Sequence, residues 1–199
     1  MRPALDVKQM QKEAKKLYSG EQRIVGIILA RYNMTLVKTI VDSEYFYWHH
    51  NSSKYFDIFW AGYGENKFSD FKATQTQLEC KENDTGVFFD LEAFINCKRK
   101  LASIKGFHYN DEPVLVLVQY DRDRIKFEEF IRIDLEKNLD EGNRFIRNIM
   151  EFLTNECAAK SSVEELSKSL KKRTFFETIK GVEASDVIST ILGIAGLVI

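Results

Sequence analysis

Residues Pro113-Val114-Leu115-Val116-Leu117-Val118-Gln119-Tyr120 form an aliphatic run opened by a proline and closed by Asp121-Arg122-Asp123-Arg124. A strand with one wet face alternates apolar and polar positions, so a continuous run predicts a strand covered on both faces. Arg23 to Tyr32 and Tyr55 to Ala61 are two more such runs. Between them, Met34 to His50 sets Leu36, Val37, Ile40, Val41, Tyr45 and Trp48 on one helical face. Strand, helix and strand make a βαβ unit, whose crossover is right-handed and whose strands are parallel. Lys126 to Leu135 differs: Ile131, Ile133 and Leu135 alternate with Arg132 and Asp134. That pattern predicts an antiparallel edge strand following a tight turn.

Helical spacing recurs at the flanks. Ala4 to Tyr18 places Val7, Met10, Ala14 and Leu17 on one face, with Gly20 past the end as a C-cap. Asp90 can cap a helix to about Lys105, stopped by Gly106, and Gly142 to Ala158 carries Phe145, Ile146, Ile149, Met150 and Leu153 inward. Glu65 to Phe89 has neither period and is expected to be a long loop. Ser162-Val163-Glu164-Glu165 is a capping box that opens a further helix, and Ser185-Asp186 can cap a final apolar segment, Val187 to Ile199. The expected organisation is an α/β domain over residues 1–160, including the N-terminal helix 4–18, and a helical extension over 161–199.

With 199 residues, 44% hydrophobic and 13% aromatic, the chain can bury one sizeable core. The net charge of −1 gives no pull toward nucleic acid, which is not expected as a partner. Cys80, Cys97 and Cys157 are odd in number and form no CxxC, so neither a disulfide framework nor a zinc site is expected. The first ten residues carry no apolar signal region, and a cytosolic location fits best.

The order βαβ, helix, ββ, helix resembles the thioredoxin-like fold, in which a βαβ half is joined through a helix to a ββα half. The resemblance spans Arg23 to about Ala158, and it implies a mixed sheet with helices on both faces. That family has a cis-proline before the first strand of its second half, and Glu112-Pro113 stands at that place. The redox CxxC follows the family's first strand; here the position reads Tyr32-Asn33-Met34-Thr35-Leu36 without a cysteine, so disulfide exchange lacks its thiolate. The resemblance implies a contact face built from Tyr32, Asn33, Met34, Gly62, Tyr63, Glu112 and Pro113.

Other candidates carry less chemistry. His49 and His50 are adjacent and point about 100° apart on a helix, so they cannot share one metal. The aromatic stretches Tyr45 to Trp48 and Tyr55 to Tyr63 fit core positions better than a stacking platform. Asp57 stands in a presumed inner strand, where a carboxylate is costly unless paired; a salt bridge is the plain reading and an acidic site with Asp90 or Glu92 the sharper one. Gly62-Tyr63-Gly64 lacks the rest of a phosphate loop and reads as a turn. Cys80 adjoins only Lys81.

Val187, Ile188, Ile191, Leu192 and Leu197 leave the last segment almost no polar face, yet it is shorter than the roughly 20 residues that cross a bilayer. It can fold back on its own domain, bury in a partner or second protomer, or lie on a membrane surface. The function expected is therefore a binding or assembly module, with no cofactor, no metal and no catalytic residue assigned, and with a protein partner or self-association through the C-terminal segment. The alternatives are a thiol-dependent enzyme using Cys80, a metal-dependent hydrolase using Asp57, and the N-terminal part of a membrane-acting effector whose output segment starts near Ser161.

Overall fold

The computed structural model describes residues 2–34, 37–38, 41, 56–67, 72–82, 85–135 and 143–179. Strands β1 (Arg2–Ala4), β2 (Arg23–Leu29), β3 (Asp57–Ala61), β7 (Val114–Asp121) and β8 (Arg124–Asp134) form one sheet in the order β1-β3-β2-β7-β8. A second sheet has the order β4-β6-β5, from β4 (Tyr63–Lys67), β5 (Gln75–Glu82) and β6 (Thr85–Asp90). The helices with described bounds are α1 (Val7–Tyr18), α2 (Leu91–Ala102), α3 (Asn143–Ala159) and α4 (Val163–Ile179). The chain is thus a mixed α/β protein with a mixed main sheet.

The three apolar runs are the three inner strands. β2 pairs with β3 in parallel and with β7 antiparallel, from Arg23 opposite Tyr120 to Leu29 opposite Val114. Ile24 to Leu29 and Val114 to Val118 are buried at every position, which requires cover on both faces. The register supplies it. Tyr120 and Gln119 project to opposite faces, because successive strand residues alternate. The Tyr18 ring of α1 stands edge-on to Tyr120 at 5.7 Å, while Gln119 reaches Ser161 and Val163, where α3 passes into α4.

Three expectations change. Residues 2–4 form a strand in parallel register with β3, so α1 begins at Val7 behind an Asp6 cap whose carboxylate accepts from Gln9 N at 2.7 Å. Tyr18 is buried with Met10 and Ala14, and Leu17 packs only partly. The segment expected as a loop from Glu65 to Phe89 holds most of the second sheet. Its strands escaped the pattern because β5 buries Leu78 but exposes Thr76 and Gln77, and its register shifts between Gln77 and Lys81. Finally, no cis peptide bond occurs among the described residues, so Glu112-Pro113 is trans.

Gly62 joins the two sheets. It lies between β3 and β4 with φ +83°, a left-handed conformation that favours glycine. Its N–H donates to Ala4 O at 2.9 Å and its carbonyl accepts from Asp90 N at 2.8 Å, so one residue ties β1 to the end of β6. Asp90 then caps α2, accepting from Glu92 N and Ala93 N at 3.1 Å. The β7–β8 connection is a two-residue turn with Arg122 at φ 50° and Asp123 at φ 61°, the doubly positive form whose twist matches a hairpin. Gln11 of α1 brackets that turn, donating to Asp123 O at 2.8 Å and accepting from Ile125 N at 2.7 Å.

The capping box at Ser162 is present, since Glu165 N donates to Ser162 Oγ at 3.1 Å. Its return bond goes one residue further back, from Ser161 N to Glu165 Oε2 at 3.3 Å. Val163, Leu166 and Leu170 of α4 enter the same core as α1 and the main sheet.

Candidate functional site

The carboxyl end of β2 is where the expected contact face falls. Leu29 pairs with Val114, so Ala30 and Pro113 stand just beyond the last rung of the ladder and beside one another. Tyr63 closes this end from β4: it is fully buried and its hydroxyl donates to Ala30 O at 3.0 Å. Its ring stacks edge-on to Trp60 at 5.3 Å and tilted to Phe89 at 5.1 Å. Pro113 is buried and its carbonyl accepts from Leu135 N at 2.8 Å. Tyr32 and Gly62 are also buried, Met34 and Glu112 are half-buried, and Asn33 is exposed. The structure brings this set to one end of the sheet, with Asn33, Met34 and Glu112 toward solvent and the others behind them as support.

Two residues that the sequence pattern did not single out share this end. Arg31 Nε and Tyr109 Oη are both buried and neither has a hydrogen-bond partner. Burial raises the Tyr109 hydroxyl well above the usual tyrosine range, Asp111 raises it further, and the Arg31 and Arg132 charges pull it back down. Lys98 lies over the Tyr109 ring at 5.2 Å and pairs with Asp111 at 2.6 Å. Arg132 is committed: it binds Asp134 at 2.7 Å, His108 O at 2.5 Å and Asn110 Oδ1 at 3.1 Å. Arg31 immediately follows an apolar run at the carboxyl end of a parallel strand, a place where ligands of open α/β sheets collect, and that position was the available signal.

No family model, curated protein or solved structure matches the chain.

Asp57 has the plain role. It opens β3, its side chain is 1% exposed, and Arg2 Nε donates to Oδ1 at 2.7 Å. Asp90 is occupied as the cap of α2 and by Gln75 Nε2 at 3.1 Å. Among the described residues, no group of three His, Cys, Asp or Glu is placed to hold a metal. Cys80 lies in β5 rather than in a loop. Cys97 and Cys157 are buried, and desolvation pushes each thiol up to about 12. Cys97 Sγ also donates to Leu5 O at 3.3 Å. A thiol held so far above neutral pH carries almost no thiolate and is a poor nucleophile.

No helix among the described residues is long and apolar enough to cross a membrane. His49, His50 and the aromatic residues Tyr45 to Trp48 lie outside the described residues, as do Thr35, Leu36 and the whole segment Val187 to Ile199 with Ile188, Ile191, Leu192 and Leu197.

Proposed function

We propose that the chain is a thioredoxin-like binding and assembly module that engages a protein partner through the carboxyl end of β2. The observation that carries this reading is the juxtaposition of Ala30 and Pro113 past the Leu29–Val114 rung, with Tyr63 fastened to Ala30 behind them. The strand order β3-β2-β7-β8, with β2 parallel to β3 and antiparallel to β7, is what a βαβ half produces when it is joined to a ββα half, and it supports the kinship. The chain departs from that family in a trans Glu112-Pro113 bond, in the added three-stranded sheet and in the missing cysteine after β2. The high thiol pKa values of Cys97 and Cys157 disfavour thiol chemistry at those two positions.

Site-specific photo-crosslinking tests the contact face. A benzophenone residue at exposed Asn33 captures a discrete adduct in cells, and one at exposed Lys12 on α1 does not. Equal capture from both positions sinks the assignment. Assembly through the apolar C-terminal segment rests on sequence, and sedimentation velocity tests it: the full chain associates as concentration rises, while Ile188→Glu/Leu192→Glu stays monomeric. A full chain that is monomeric throughout removes self-association and leaves fold-back on its own domain, a different partner or a membrane surface for this segment.

A further inference from the structure

Arg31 carries a charge that the fold does not answer. It follows Ala30, which stands beside Pro113 past the last rung between β2 and β7, and its side chain is half-buried. Its Nε is out of reach of water and has no hydrogen-bond partner, and among the described residues no carboxylate pairs with the guanidinium. The acids at this end are held by other groups: Asp111 by Lys98 at 2.6 Å, Asp134 by Arg132 at 2.7 Å and Glu112 by Asn110 Nδ2 at 2.5 Å. Tyr109, whose ring stands edge-on to Phe94 at 6.3 Å, repeats the pattern, because its hydroxyl is also buried and unbonded.

A guanidinium has five N–H donors, no acceptor and no neutral form at any ordinary pH. Both orphan groups can therefore be answered by an acceptor, and Arg31 by a charged one, since a partly buried cation without a counter-charge is costly. That cost falls on the free protein. An incoming anion meets a cation already stripped of part of its water, so less is lost on binding than at an exposed arginine. Nε is the buried nitrogen, which leaves the outer edge, Nη1 and Nη2, to hold two oxygens side by side. Asp111 and Glu112 act on the same neighbourhood and oppose a second negative charge there, which favours a carboxylate over a phosphate dianion.

We propose that Arg31 is the anchor for an acidic side chain of the protein partner, gripped by both carboxylate oxygens as the partner docks on the carboxyl end of β2. This rests on that end being the contact face.

Three measurements on the full chain test it. With the benzophenone residue at Asn33, Arg31→Met lowers the adduct yield about tenfold or more, and Arg31→Lys, which keeps the charge but not the fork, lowers it by less. No adduct from the natural chain is a failure of the contact face; an adduct whose yield Arg31→Met leaves unchanged is a failure of the anchor alone. Without any partner, Arg31→Met melts at a higher temperature than the natural chain, because it removes a charge that the fold leaves unpaired; a lower melting temperature makes Arg31 a structural residue and overturns the proposal. Acetate, with chloride matched for ionic strength, shifts the Arg31 Nε–H resonance saturably, and inorganic phosphate binds more weakly. No saturable shift with acetate, or tighter binding of phosphate, overturns the carboxylate assignment.

Discussion

Gln119 Oε1 accepts from Val163 N at 3.0 Å, and its Nε2 donates to Ser161 O at 2.8 Å and to Arg23 O at 2.9 Å. One side chain, at the register shift of β7, thereby ties the start of α4 to the N-terminal end of β2. The first N–H groups of a helix have no intrahelical acceptor, so Gln119 satisfies a donor that would otherwise need water.

Replacing Gln119 with alanine leaves Val163 N, Ser161 O and Arg23 O without this partner. The expected loss is about 1–3 kcal/mol in urea unfolding, with faster proteolysis near residues 160–162. Unchanged stability and unchanged cleavage would show that α4 is held by its apolar face alone.

Gly62→Ala is the most damaging small substitution expected. Its Cβ would lie 2.5 Å from Phe94 Cβ and 2.7 Å from Phe94 Cα, on a backbone at φ +83°. Backbone strain and overlap with α2 together cost about 3 kcal/mol or more. A thermal shift of only a degree or two would show that β3, β4 and α2 can separate at little cost.

Arg122→Asn should stabilise. Arg122 is 84% exposed, its pair with Asp121 is 3.8 Å long, and its φ of 50° suits asparagine better than arginine. Surface pairs of that length contribute little. A gain of roughly 0.5 kcal/mol is expected from the relieved left-handed conformation. Asp123 is the residue to leave alone, because its carboxylate accepts from Gly20 N at 3.2 Å and Tyr120 Oη at 3.3 Å.

Native alkylation at pH 8 should leave Cys97 and Cys157 unmodified, as read by peptide mass spectrometry, because a thiol near 12 is ionised in about one molecule in ten thousand at that pH. Both react at the ordinary rate once urea removes the desolvation. Rapid labelling of either in the native protein would show that its thiol is not held out of water as the packing requires.

Local chemistry along the chain was enough for the inner strands. Ile24 to Leu29 and Val114 to Val118 had no choice but burial, because so continuous an apolar run has no wet face to offer. The Asp90 and Ser162 caps were legible for a similar reason: each bonds to N–H groups within three residues of itself. β1 and β5 were not legible. Arg2-Pro3-Ala4 is a strand only because β3 lies beside it, and Gln75 to Glu82 is one because β6 pairs with it. β1 is paired by a segment more than fifty residues away, and β5, although β6 follows it directly, exposes Thr76 and Gln77 and shifts its register, so neither leaves a period in the sequence. The same holds for Arg31 and Tyr109 at the carboxyl end of β2, and for the pairing of Arg2 with Asp57. Residue type told which groups were costly to bury, and the sheet's register decided which of them would meet.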